Sequence, residues 1–411
     1  MKKTLFLLLS LLMVFCCAQA EGVRLVEASD LHILSRKLVE DEDVLMRILR
    51  TADGKVTHYT PEICRAFVDQ MLAEKPDAVL LSGDLTLNGS FESHQELIEI
   101  LTPLKEAGIP VLVIPGNHDE TGIAYRFPTG GPAPVIGMDE ADFKAAYADF
   151  GYNDARSRDE NTFSYMYEVS PDVWVLAVDV NSVTPWGSVQ PETLTWMEEQ
   201  LQEAQQAGAQ VIGMTHQNLM VHFSMFTFGY QINNARQLQE LYDRYGVHLT
   251  LSGHMHLQHI AQSGGVTEIT TSALAVWPQH YGVITVADGV ADYQAVPLDV
   301  AAWAAREGLP DPNLLDFDRY AARFFDDTTT VKQADRMASI EADEEIKARM
   351  LDFVRIFNRS QFAGYLVEPI DMDELALWEE HMPSAFFTHY MSMFPKDGVV
   401  DFRKATVQLK K

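Results

Sequence analysis

From Val23 to about Pro297, short apolar runs alternate with amphipathic stretches. The runs are Val23–Ala28, Ala78–Leu81, Pro110–Ile114, Val173–Val178, Gln210–Met214 and His248–Leu251, rich in Val, Ile and Leu, which predicts buried strands. Thr60-Pro61 opens a helix in which Ile63, Phe67 and Met71 recur every four residues. Pro191 opens another, with Leu194, Met197, Leu201 and Ala204 on one face and Gly208 as its stop. Strands alternating with helices predict an α/β sheet covered by helices. Later runs at Val266–Thr271, Val283–Ala287 and Ala291–Val296 have no helix between them and predict an antiparallel stretch. The pattern changes near residue 298. From there to Lys411 no strand run is evident. Ile346, Met350, Phe353, Val354 and Phe357 form a helical stripe, and further helical stretches lie near 314–337, 371–381 and 384–394.

The first twenty residues read as a leader. Lys2 and Lys3 are its basic end, Leu5 to Phe15 its apolar core, and Ala18-Gln19-Ala20 a cleavage signal. The apolar core is shorter than the roughly 20 residues a spanning helix needs. The mature chain is therefore expected to be secreted or held in the cell envelope, without a transmembrane segment. A lipid anchor through Cys16 or Cys17 is the less favoured alternative, because Phe15 and Cys16 stand where a small residue belongs. Cleavage leaves Cys64 as the one cysteine, so no internal disulfide forms. The division expected is a leader at 1–20, a catalytic domain at 21–297 and a helical domain at 298–411.

The formal charge is −28, from 59 acidic against 31 basic residues, and most of the excess lies before residue 298. That excludes a nucleic-acid polymer as partner, because such binders carry a basic face. It leaves open a small phosphate ester held by metal ions.

Five short polar elements each follow an apolar run: Asp30-Leu31-His32, Gly83-Asp84, Gly116-Asn117-His118-Asp119, Thr215-His216 and Gly253-His254-Met255-His256. Loops at the carboxyl ends of strands line one crevice in such sheets. Each piece alone resembles an ordinary turn or a loop histidine, but five in series at strand ends do not arise by accident. The set offers oxygen and imidazole nitrogen and no thiolate, which suits manganese, iron or zinc. The donors Asp30, His32, Asp84, Asn117, His216, His254 and His256 are too many for one ion and suit two that share a carboxylate.

The series resembles the calcineurin-like metallophosphoesterase superfamily, with its D-x-H, G-D, G-N-H-[DE], H and G-H-x-H elements, over roughly residues 23–297. The resemblance implies a four-layer α/β/β/α sandwich, here with an all-α C-terminal region. It also implies one ion on Asp30, His32, Asp84 and His256, and a second on Asp84, Asn117, His216 and His254, bridged by Asp84. Leu87 stands where purple acid phosphatases have a tyrosine ligand. Gly83 to Gly89 lacks the G-D-x-x-D-R-G of Ser/Thr protein phosphatases, and Asp119 replaces their glutamate. The combination is most similar to class III cyclic-nucleotide phosphodiesterases with a helical extension.

A water shared by two divalent ions loses its proton near neutral pH and attacks phosphorus in line. His118, beside Asn117, is the expected proton donor to the leaving group, with Asp119 orienting its ring. The expected function is hydrolysis of small phosphodiesters, cyclic nucleotides foremost. Alternatives are a phosphomonoesterase, a phospholipid or nucleotide hydrolase of the same superfamily, or a metal-bearing scaffold without turnover. His58, His222, His280, Trp186 and Tyr230 are further candidates for lining the pocket or stacking on a base.

Overall fold

The computed structural model describes residues 22–393 and 401–410. The leader at residues 1–20 lies outside the described residues, as does Phe394. In chain order the strands are β1 (Val23–Ala28), β2 (Ala78–Leu81), β3 (Val111–Val113), β4 (Ile123–Arg126), β5 (Ala133–Ile136), β6 (Ser157–Arg158), β7 (Tyr165–Ser170), β8 (Val173–Ala177), β9 (Gln210–Met214), β10 (Leu249–Ser252), β11 (His259–Ser263), β12 (Val266–Thr270), β13 (His280–Ala287), β14 (Val290–Pro297) and β15 (Lys404–Gln408). One sheet runs β15-β14-β13-β1-β2-β3 and the other β11-β12-β10-β9-β8-β7-β6. β4 and β5 form a separate hairpin.

Alternation along β8 produces the layering. Val173, Val175 and Ala177 face a core shared with Leu25, Val26 and Leu80 of the first sheet. Trp174 and Leu176 point the other way, onto Met197 and Leu201 of the helix Pro191–Ala207 and Leu238 of the helix Ala235–Tyr245. The first sheet is covered by the helices Thr60–Glu74 and Phe91–Glu106, whose Ile63, Phe67, Met71, Leu97 and Leu101 are buried. Burial of each such side chain contributes about 1.5–3 kcal/mol. The result is the expected α/β/β/α stack.

Two features depart from the sequence pattern. Val266–Thr270 does not pair with the strands that follow it: β12 lies parallel to β10 and antiparallel to β11. β13 and β14 form a hairpin in the other sheet, closed by Asp288-Gly289 with positive φ at both residues. The second departure is β15, a strand in a region expected to hold none. It pairs antiparallel with β14 and forms the outer edge of its sheet. Its residues KATVQ bury Val407 alone, so its local signal is that of a polar edge strand, and pairing from over 100 residues away decides its conformation.

The region between is helical, as expected. The stripe on the helix Glu344–Ala363 packs with Trp378 and Met391 in a cluster that also receives Phe223 and Phe226 from the first part of the chain. Phe325, on the helix Phe317–Met337, is fully buried against Trp277 and Phe362, and a side chain at Gly54 would clash with its ring. Phe325→Ala should therefore lower unfolding free energy by about 3–5 kcal/mol, read from chemical denaturation.

His94, on the helix Phe91–Glu106, is buried between the Tyr147 hydroxyl at 2.9 Å and the Asp119 carbonyl at 3.0 Å. Burial pushes it down to about 4, outweighing the carbonyl. As pH falls below about 6.5 the unfolded chain takes up this proton before the folded one does, so the contribution of neutral His94 is lost between pH 6.5 and 4. The urea midpoint of His94→Gln should decline less steeply over that interval than that of the unaltered protein. Parallel declines would show that His94 is not the group titrating.

Candidate metal centre

The polar elements all sit where parallel strands end. Asp30 follows β1, Asp84 follows β2 and Asn117 follows β3, adjacent in the first sheet. His216 follows β9, and His254 and His256 follow β10, adjacent in the second. Backbone hydrogen bonds join neighbouring loops. The Asp30 amide donates to the Gly83 carbonyl at 3.1 Å, the His32 amide to the Asp84 carbonyl at 2.9 Å, and the Gly253 amide to the His216 carbonyl at 3.1 Å.

Two groups of donor atoms result, each within a 4.8 Å spread: Asp30, His32, Asp84 and His256 in one, Asp84, His216 and His254 in the other. Asp84 belongs to both. The Asn117 side-chain carbonyl lies 3.2 Å from His216 Nε2, beside the second group. The structure thus brings together all seven residues expected from the sequence.

The contacts within the cluster fit groups that ligate a cation. His32 Nε2 faces His256 Nε2 at 3.1 Å, nitrogen against nitrogen. Nε2 of His216 and of His32 lie 3.4 and 3.6 Å from the Asp84 oxygens, longer than a good hydrogen bond. Asp30 Oδ1 is buried without a hydrogen-bond partner. Three of the four far nitrogens are engaged elsewhere, which orients those rings: His216 Nδ1 donates to the Ser82 carbonyl at 2.9 Å, His254 Nε2 to the Gly229 carbonyl at 2.9 Å, and His256 Nδ1 lies 3.2 Å from Asp53, while His32 Nδ1 is buried without a partner. The remaining lone pairs point inward. An oxygen and imidazole set of this kind fits divalent transition ions.

The backbone is strained to achieve this. Among the described residues, eight non-glycine residues have positive φ, and Asp30, His32, Asp84, His254 and His256 are five of them. Each costs about 1–3 kcal/mol, offset by the surrounding hydrogen bonds. Glycine is required where loops cross. A side chain at Gly116 would meet the Asp84 amide and Oδ1 at 2.2 Å, and one at Gly253 would meet Ser29 Oγ at 1.7 Å.

Electrostatics follow from the same packing. Burial alone would raise Asp30, but His256 and His216 draw it well below the usual carboxylate range. Asp84 is likewise held low against burial by His216. Burial works against protonation of His216 and His256, yet Asp84 pushes the first and Asp30 the second up to about 9.

His118 stands at the open side, half-exposed, with Nε2 4.0 Å from Asp84 Oδ2. Asp119 does not orient its ring, contrary to the sequence expectation. His118 Nδ1 donates instead to the Leu87 carbonyl at 2.7 Å. Asp119 is turned inward, accepting from the amides of Leu85, Thr86 and Gly116 and from the Thr86 hydroxyl. It clamps the Asp84 turn to the Asn117 turn. Burial, then the Asp84 charge, pushes it up to about 7.

Most of the other candidates find structural partners. His58 lies 2.6 Å from the Tyr320 hydroxyl. His222 is buried 3.2 Å from Glu268, and His280 is buried in β13. Trp186 is exposed, whereas Tyr230 packs 5.3 Å from the His254 ring. Asp53 was missed: it sits alone in a polar loop, and proximity to His256 exists only after folding. Asp53→Ala should weaken divalent-ion binding 10–100-fold without unfolding the chain, read by competition with a chelating dye. Unchanged affinity would show that Asp53 does not support His256.

Comparison with known proteins identifies the family. The sequence model described as calcineurin-like phosphoesterase matches residues 23–258. That described as C-terminal domain of cyclic nucleotide phosphodiesterase matches residues 299–401. A glycerophosphodiester phosphodiesterase GpdQ of Enterobacter lignolyticus (strain SCF1) is 37% identical over 81 residues, 19% of this chain and 27% of the relative. A "probable cyclic nucleotide phosphodiesterase" of Ruthia magnifica subsp. Calyptogena magnifica is 34% identical over 87 residues, 21% of this chain and 35% of the relative. The matches thus span about a third or less of either relative. A dimetal phosphatase from Danio rerio superposes with a TM-score of 0.49 at 10% identity, covering 67% of this chain and 96% of that one. With the phosphoesterase match covering more than half its length, this chain belongs to the calcineurin-like phosphoesterase family.

Proposed function

We propose that the chain is an exported, metal-dependent phosphodiesterase acting on small phosphodiesters, with cyclic nucleotides as its substrates. The observation that carries the reading is the buried Asp84 carboxylate, faced by imidazole nitrogens of His216, His32 and His118 at 3.4, 3.6 and 4.0 Å. Asp30, His32, Asp84 and His256 would hold one ion, and Asp84, Asn117, His216 and His254 the other, with manganese, iron or zinc suited to the donors. When bound, the ions supply an acidified water and balance charge on the phosphoryl oxygens.

The residues do the rest. His118 keeps Nδ1–H on the Leu87 carbonyl, which leaves Nε2 facing the centre to carry a proton to the departing alkoxide. Its half-exposed position lets it be reprotonated from solvent. Asp119 positions the two turns that bear Asp84 and His118 and takes no part in proton transfer. The amides of His118 and His254 donate to Asp84 and Asp30 at 2.9 Å and hold both carboxylates in place.

The diester reading draws on the relatives' names and on the match over residues 299–401. Export rests on the leader pattern at residues 1–20. Among the described residues no helix is long and apolar enough to cross a membrane. The division proposed is leader 1–20, catalytic domain 21–297 and C-terminal domain 298–411. A second reading, glycerophosphodiester hydrolysis, is favoured by the GpdQ relative.

The manganese-loaded protein should cleave bis(p-nitrophenyl) phosphate and 3′,5′-cyclic AMP in preference to p-nitrophenyl phosphate. Monoester preference would overturn the diester reading, and turnover of glycerophosphocholine with none of cyclic nucleotides would install the second. His118→Ala should keep its ions and lose about 10²–10⁴-fold in kcat. Loss of ions would make His118 a ligand instead.

A further inference from the structure

A cavity of about 300 Å³ opens beside His254 and His256. Its size is at the lower end of small-molecule sites. One wall comes from the first part of the chain: Phe226 and Tyr230, whose rings lie 5.1 Å apart. The facing wall comes entirely from the C-terminal region. Lys332 stands on the helix Phe317–Met337, Asn358 and Phe362 on the helix Glu344–Ala363, and Tyr390 on the helix Phe386–Ser392. Tyr390 reaches across to Phe226 at 5.4 Å. The site is incomplete without the C-terminal helices.

Asn358 is the telling residue. It is 6% exposed, yet its amide makes no hydrogen bond among the described residues. Its polar atoms are not among those sealed from solvent, so they remain free to bond what enters the cavity. Asn358 is one of the residues that line the cavity. The wall that bears it is fixed, since Arg359 on the same helix makes a two-pronged ion pair with Asp326 of the neighbouring one, at 2.7 and 2.5 Å. Lys332 is the one lysine or arginine lining the cavity among the described residues, and it is exposed at the mouth. In a protein of charge −28, a lone cation there draws an anionic substrate inward.

We propose that the C-terminal helices are the specificity wall of the substrate site, with a nucleobase laid against the aromatic rings that line the cavity and its polar edge read by the Asn358 amide. An amide carries two donors and one acceptor, the complement of a purine edge. Aromatic faces accept a base by stacking. Lys332 raises capture of the phosphate-bearing substrate and does not touch the reacting atoms. This rests on the phosphodiesterase reading above and adds to it which part of the substrate is recognised and by what.

The test uses the full-length holoenzyme and two substrates, 3′,5′-cyclic AMP and bis(p-nitrophenyl) phosphate. Asn358→Ala should lower the ratio of kcat/KM for cyclic AMP to that for the synthetic diester about tenfold, carried by KM. Asn358→Gln should recover part of the loss. Lys332→Ala should raise KM for cyclic AMP several-fold and flatten the fall of kcat/KM with salt. An unchanged ratio in Asn358→Ala at native metal content and native unfolding midpoint overturns the proposal. Should that variant not fold, Lys332→Ala decides at an exposed position, and unchanged KM and salt dependence overturn it. Unaltered protein that cleaves bis(p-nitrophenyl) phosphate but no cyclic nucleotide overturns the cyclic-nucleotide reading itself, before any variant is compared.

Discussion

Two buried aspartates facing four imidazoles set the terms for the rest of this molecule. Asp30 and Asp84 are both essentially inaccessible to solvent, a placement that costs free energy unless positive charge accompanies it. The surrounding structure exists to hold that charge in one geometry. Strand ends from both sheets converge on it, left-handed backbone aims the side chains, and glycines let loops touch where any side chain would collide. His216 and His256, raised to about 9 by Asp84 and Asp30 against the effect of burial, express the same demand.

The two-sheet architecture is what makes such a centre possible. A single parallel sheet would present loops from one row of strands. Here β1, β2 and β3 bring Asp30, Asp84 and Asn117 from one side, and β9 and β10 bring His216, His254 and His256 from the other. The shared core between the sheets fixes the distance across which they meet. The C-terminal region is bound into the same body at three places: β15 on the edge of the first sheet, Phe325 against Trp277, and the aromatic cluster that takes in Phe223 and Phe226. It is therefore positioned to shape the approach to the centre.

Much of the fold was legible because it depends on burial, and burial writes itself into periodicity. Ile63, Phe67 and Met71 repeat as a helical face and all three are buried, and of the runs that became strands β2 is apolar throughout while β1 and β9 are mostly so. Where pairing is decided at long range the pattern was silent. β12 was grouped with its sequence neighbours although its partners are β10 and β11, and β15 is polar enough to pass for loop. The hairpin of β4 and β5 went unseen because its bulkiest apolar residues, Ile123 and Ile136, are exposed, and its inward pair is only Ala124 and the half-buried Val135.

The chain's chemistry divides along the same line. Residue types and their order after apolar runs were enough to select Asp30, His32, Asp84, Asn117, His216, His254 and His256, because a cation's preference for oxygen and imidazole donors is a local property of side chains. What those side chains lean on was decided by the fold. Asp119 turned out to bind backbone amides and not the His118 ring, the Leu87 carbonyl took its place, and Asp53 came to support His256 from a loop two hundred residues away. Such second contacts obey no spacing rule in the sequence, since they arise where segments from separate strands happen to be packed together.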